Sequence, residues 1–145
     1  MTTPVRWQLH ERLAADTLTV GDFPLCRLLL MNDAQYPWCI LVPRVVGAKE
    51  LHRLDDADQV QVLRESVAAA RAMEEAFHPH KMNLAALGNM VPQLHLHHIA
   101  RYKTDAAWPA PVWGKHLAVP YAPEQAAGRI ATLQRLLPGL LPPIT

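Results

Sequence analysis

The sequence predicts an α+β protein: an antiparallel sheet of about five strands, a long helix packed on one face, and a C-terminal helix. Three observations predict it. Short apolar runs bounded by Gly, Pro and Asn recur through the first hundred residues. Residues 56–77 carry helical spacing. The resulting order is strand, strand, strand, helix, strand, hairpin, strand, helix. At 145 residues the chain reads as one domain, 1–145, long enough to bury a core. Its β-rich centre is expected over about 18–102, with a Pro/Trp-rich loop and the last helix over 103–145.

Each element has a local reason. Residues 8–15 carry Leu9 and Leu13 at i, i+4, the spacing of a short helix. "LTVGDFPLCRLLLMND" reads as strands Leu18–Val20 and Leu25–Met31 around a Gly-Asp turn. "WCILVPR" is apolar almost throughout, as in a strand covered on both faces, and Pro43 stops it. In 56–77, Val60, Leu63, Val67, Ala70 and Phe77 recur at helical spacing, and Asp55 or Asp56 can cap the start. "KMNLAAL" is a strand, Gly88-Asn89 a turn, and "PQLHLHHIARY" the next strand. Residues 103–121 form an ordered loop. "PEQAAGRIATLQRLL" is the C-terminal helix, with Pro123 near its first turn.

Composition narrows the function classes. A formal net charge of +1 gives no electrostatic case for wrapping nucleic acid, so a nucleotide partner has to be held by a local site. Cys26 and Cys39 lie in apolar runs, which suits buried, reduced thiols rather than a disulfide framework. The N-terminal residues carry charges where a signal peptide needs an apolar run. No stretch of about 18 apolar residues offers a membrane span. The expectation is a soluble, cytoplasmic protein with no membrane partner.

"VPQLHLHHIARY", residues 91–102, places three of the chain's eight histidines within four positions. With a strand period of two, Gln93, His95, His97 and Ile99 share one face and His98 stands on the other. Same-face neighbours lie about 6–7 Å apart, close enough for two imidazoles to touch one phosphate group. Three readings of this row stand together. It is a polar sheet face; or two zinc ligands needing a third from elsewhere, for which no complementary motif is visible; or a site for phosphoryl or nucleotidyl chemistry, in which a neutral imidazole attacks phosphorus.

"GNMVPQLHLHHIARY" resembles the signature of the histidine triad (HIT) family, His-φ-His-φ-His-φ-φ after a Gly-Gln/Asn turn. "LLLMNDAQYPWCILVPR" resembles the family's upstream strand pair, and "VGAKELHRLDDADQVQVL" its linker and helix. The tail "AWPAPVWG" looks like that of a bacterial branch. The resemblance implies catalysis by His95 as nucleophile and by His97, which contacts the scissile phosphate or bridging oxygen. It implies substrate binding by Gln93, Asn89 and Asn32: Asn89 at the phosphate, Asn32 at the ribose. Gln93 departs from the pattern, since it can donate a hydrogen bond but cannot titrate. Trp38 stands where many members carry another histidine, and by itself reads as packing. Trp108 and Trp113 are open between an interface and a base pocket. His52, His78, His80 and His116 read as surface residues.

The implied activity is that of a hydrolase or nucleotidyl transferase. It would cleave a nucleoside phosphate, phosphoramidate or dinucleoside polyphosphate through a nucleotidyl-histidine. The alternative is a nucleotide-binding sensor in which the chemistry has lapsed. The implied partner is a purine nucleotide-type small molecule, held in an apolar cleft built from strands such as Leu28–Leu30. No cofactor and no protein-bound metal are implied, a divalent cation entering only with the substrate. The family usually forms a homodimer, and the helix 56–77 with its neighbouring strand offers the contact surface.

Overall fold

The computed structural model describes residues 4–143. Five strands form one antiparallel sheet in the order β1-β2-β3-β5-β4. They are β1 (Thr17–Asp22), β2 (Cys26–Met31), β3 (Trp38–Pro43), β4 (Lys81–Ala85) and β5 (Leu96–Arg101). The helices are α1 (Glu11–Asp16), α2 (Asp56–Phe77) and α3 (Pro123–Leu136), with a 3-10 turn at Leu51–Arg53. β3 and β5 are neighbours at the centre, and every residue of both is buried. That is why the β3 sequence shows no polar alternation.

The two sheet faces carry separate apolar clusters. Leu28, Leu30, Cys39, Leu41, Leu96 and Ala100 face α2 and α3. Leu29, Trp38, Ile40, Val42 and Ile99 form the other face, covered in part by Leu13 of α1 and by Ala107 and Val112 of the 103–121 loop. Both cysteines are free and buried on the first side. Burial raises both thiols, Cys39 to about 12, which removes the thiolate a cysteine nucleophile needs.

Three local expectations need correction. Gly21 and Asp22 are not a turn but the end of β1; the chain turns at residues 23–25 instead. Asp22 is held extended by the Arg27 ion pair at 2.9 Å and by paired backbone bonds to Leu141. A Cβ on Gly21 would stand 3.1 Å from the Leu140 Cβ, so glycine here admits the C-terminal tail.

The second correction is the phase of α2. Its bounds are as expected, and Asp55 caps it by accepting from the Asp58 N–H at 2.8 Å. However, Val60, Leu63 and Val67 are exposed at 49%, 62% and 38%, while Val62, Glu65, Ser66, Ala69, Ala72 and Met73 are buried. Polar partners decide the rotation. Glu65 accepts from the N–H groups of Leu25 and Cys26 at 3.0 and 2.7 Å, and Ser66 bonds the His98 ring at 2.7 Å. Ala69 and Ala72 then let the helix approach the sheet closely.

The third concerns the strand after Gly88-Asn89. Gly88 takes φ 75°, but residues 86–95 form an irregular connection with bends at 89, 90 and 93, and β5 begins only at Leu96. Residues 93 and 94 are engaged elsewhere: Leu94 N–H donates to Ala48, and Gln93 bonds the N-terminal segment.

Residues 103–121 are ordered without regular structure, as expected. Their anchor is Arg101, which is 1% exposed and forks onto Asp105 at 2.8 and 3.0 Å while also bonding Asn83 and Ala110. Burial alone would raise the Asp105 carboxyl. The Arg101 fork and the N–H groups of Tyr102 and Trp108 outweigh it and bring it down to about 2. This network fixes the loop that carries Trp113 back over the sheet. No described helix is long and apolar enough to cross a membrane.

Candidate active site

β5 and β3 build the site floor. His97 lies opposite Ile40 and His98 opposite Cys39, so the two histidines leave opposite faces. His95, just before β5, projects with His97: their ring centroids are 4.9 Å apart at 71°. Both are largely buried, at 7% and 5% exposure. They border a cavity of about 330 Å³ whose walls include Ile40, Asn89, Met90 and Trp113, with Arg12, Leu13 and Asp16 of α1 along one side.

Hydrogen bonds assign the protons. The Trp38 indole nitrogen can only donate, and it meets His97 Nδ1 at 3.0 Å. His97 Nδ1 is therefore an acceptor, and its proton is on Nε2. His95 Nδ1 stands 2.7 Å from the Gln93 carbonyl, which can only accept. In its neutral form His95 therefore carries its proton on Nδ1 and keeps a lone pair on Nε2. The neighbouring rings are held in opposite tautomers, one presenting a lone pair and the other an N–H. Burial, followed by the His95 and His98 charges, lowers His97 to about 3. It is neutral at working pH.

His98 belongs to the opposite core. Its Nδ1–H donates to Leu96 O at 3.1 Å and its Nε2 accepts from Ser66, tying β5 to α2. Burial lowers it to about 4. Both shifts depress the folded value below 6.5. Below that pH the unfolded chain takes up protons that the folded chain refuses, so stability is full above 6.5 and falls as the solution is acidified. Each histidine is expected to cost about 1.4 kcal/mol per pH unit until its folded pKa is reached. Urea unfolding at pH 7 and pH 5 measures this; equal midpoints would refute it.

The structure brings His95, His97 and Asn89 to the cavity wall. Gln93 and Asn32 are placed with other partners. The Gln93 carboxamide accepts from His10 N–H at 2.8 Å and donates to Gln8 O at 2.9 Å. Asn32 Oδ1 accepts from Tyr121 N–H at 2.9 Å, holding the end of the long loop, while its neighbour Met31 lines the cavity. The apolar wall uses Met31 and Ile40; Leu28 and Leu30 face α2 instead. Trp113 meets His97 at 5.0 Å and Trp38 at 5.8 Å between ring centroids, in both cases edge to face. Trp108 lies away from this group, against His80 and Arg101. His52, His78, His80 and His116 are exposed, and His78 closes α2 in the left-handed conformation.

Sequence reasoning missed two things. Trp38 is a partner of His97 as well as packing; its position one strand upstream was the available signal. Arg12, Leu13 and Asp16 had no signal beyond a short amphipathic turn. Among the described residues no group of three or more His, Cys, Asp or Glu is placed to share a metal ion.

The HIT domain family matches residues 12–104. The chain resembles the crystal structure of a histidine triad protein from Marinobacter aquaeolei VT8, at 57% identity and TM-score 0.90, over 94% of this chain and 99% of that one. A histidine triad protein from Bradyrhizobium japonicum is 45% identical with TM-score 0.89, over 90% and 98% of the two chains. One from Sinorhizobium meliloti 1021 is 40% identical with TM-score 0.87, over 89% and 96%. No curated protein matches the chain. The match across most of the domain, and the close likeness to these three structures over nearly their whole lengths, place this chain in the histidine triad family.

Proposed function

We propose that this protein is a nucleotide hydrolase or nucleotidyl transferase that works through a nucleotidyl-histidine on His95. The observation that carries this is the pair of rings 4.9 Å apart in opposite tautomers at the wall of a cavity. His95 Nε2 attacks the α-phosphorus of a nucleoside phosphate ester, phosphoramidate or dinucleoside polyphosphate. The P–O or P–N bond breaks and the leaving group departs with its electron pair. The imidazolium formed on His95 is held by its Nδ1–H bond to the Gln93 carbonyl. His97 Nε2–H donates to an oxygen of the reacting phosphate. Water then attacks phosphorus and loses a proton to solvent, the P–N bond breaks with its electron pair returning to His95 Nε2, and the mononucleotide leaves. Asn89 adds a hydrogen bond to the phosphate, and the apolar wall takes the base, a purine in this reading. Asn32 acts through the loop it holds. The scheme uses no protein-bound metal, and the protein is read as acting in the cytoplasm.

The test is incubation with a panel of dinucleoside polyphosphates and nucleoside phosphoramidates, followed for mononucleotide release. Release, with label trapped on His95, supports the proposal. Binding without release identifies a nucleotide sensor instead, and activity lost to a chelator and restored by zinc identifies a metal hydrolase.

The functional unit proposed is a homodimer. The exposed row Val60, Leu63 and Val67 on α2, with Leu84 of the edge strand β4 at 59% exposure, is an apolar surface for a second copy. Light scattering after size exclusion is expected to give about 32 kDa, twice the 16.2 kDa chain. A particle of 16.2 kDa overturns the dimer.

A further inference from the structure

Trp38 makes a contact that gives His97 a different character from a free imidazole. The indole N–H donates to His97 Nδ1 at 3.0 Å, both residues are buried, and Trp113 packs against both rings. An imidazole in place of Trp38 can accept as well as donate, and so can tolerate a second proton on His97. An indole cannot accept. Protonating His97 on Nδ1 would set two buried N–H groups against each other. The single proton on Nε2 is not an acidic one either, because losing it would leave a buried anion.

The rest of the wall does not replace that proton. His95 Nδ1–H is committed to the Gln93 carbonyl and its Nε2 is the attacking atom. Arg12 and Asp16 pair with each other at 3.9 Å on α1, both about half exposed, and Asn89 is an amide. The remaining wall residues beyond Trp113 are apolar or glycine. Among the described wall residues, neither imidazole is set to give a proton to a departing atom, and the Asp16 carboxyl is paired with Arg12.

We infer that Trp38 is a positioning residue that locks His97 as a neutral hydrogen-bond donor and bars it from acting as an acid. This rests on the nucleotidyl-histidine reading. Its consequence is a steep dependence on the leaving group. When a polyphosphate or an acidic phenol departs, the electron pair settles on an oxygen that is stable as an anion, and the His97 hydrogen bond suffices. When an amine departs, the pair settles on nitrogen, which must take a proton as the P–N bond breaks. His97 has none to offer, so that proton must come from outside the histidine pair.

The experiment compares diadenosine tetraphosphate, the p-nitrophenyl ester of AMP and adenosine 5′-phosphoramidate, with wild-type protein, Trp38→Phe and Trp38→His. Wild type is expected to turn over the first two at least about a hundredfold faster than the phosphoramidate, the size of a missing acid–base contribution. Trp38→His is expected to narrow that ratio at least about tenfold, with a new acidic limb in the pH profile of its phosphoramidate hydrolysis. In ¹⁵N spectra His97 Nδ1 is expected to be unprotonated in wild type from pH 5 to 8, and Trp38→Phe is expected to lose that lock. Equal wild-type rates on the three substrates overturn the inference whether or not either variant folds. So does a protonated His97 Nδ1, or an unchanged ratio in a folded Trp38→His protein. Inertness toward all three substrates, with no label on His95, overturns the nucleotidyl-histidine reading and this inference with it. The tautomer measurement separates the two failures.

Discussion

His95→Ala is expected to lower turnover by about 10⁴-fold or more, with the fold intact. The scheme loses its nucleophile, and the other imidazole on the described wall is not free to take over. His97 Nδ1 is occupied by Trp38, and its Nε2 carries the proton. Removing a nucleophile that acts as a unit with its neighbours typically costs several orders of magnitude in kcat. The fold is expected to survive because, among the described residues, the ring's one hydrogen bond is to the Gln93 carbonyl, and that carbonyl then faces a cavity that water can enter. The stability cost is about 1 kcal/mol. Steady-state turnover alongside a urea unfolding curve checks both halves. Full turnover in the variant would remove His95 from the mechanism.

Gln93→His restores a histidine at the first position of the row, yet it is expected to lower kcat/KM about tenfold. The carboxamide carries its acceptor and donor side by side. They meet the His10 N–H and the Gln8 carbonyl, two residues apart along an extended segment, as a neighbouring strand would. An imidazole also has one acceptor and one donor, but they diverge across the ring, so it meets one of these groups and not both. One lost hydrogen bond is worth about 1–1.5 kcal/mol, close to a tenfold change. The loss loosens the segment leading into α1, whose Arg12, Leu13 and Asp16 wall the cavity. Amide exchange over residues 8–16 is expected to quicken, and KM to rise more than kcat falls. A large gain in turnover would show instead that Gln93 is an impaired catalytic position.

These two residues mark how far the sequence could be read. The pairing of His95 with His97, and the separation of His98, follow from alternation along an extended chain. That alternation held at His95 even though β5 starts one residue later: its ring still lies 4.9 Å from that of His97. The bounds of α2 were legible for a similar reason: a side-chain cap at Asp55 and the run of helix formers act within a few residues. The rotation of α2 was not. Two apolar rows compete on that helix, and the choice was made by Glu65 and Ser66, whose partners lie 39 to 40 and 32 residues away. Gln93 was read correctly as unable to titrate. Its carboxamide, however, turns away from the row toward a segment more than 80 residues upstream.

The sequence by itself determined the sheet's strands, the α+β order and the two imidazoles that leave one face together. Backbone sterics and side-chain period operate over a few residues and need no knowledge of the rest of the chain. Only the tertiary structure decided which nitrogen of each imidazole holds its proton, what Gln93 grips and which wall closes the cavity. A polar group buried in the fold must bond whatever arrives beside it. What arrives is set by the packing of distant segments: Trp38 reaches His97 across 59 positions because β3 and β5 lie side by side.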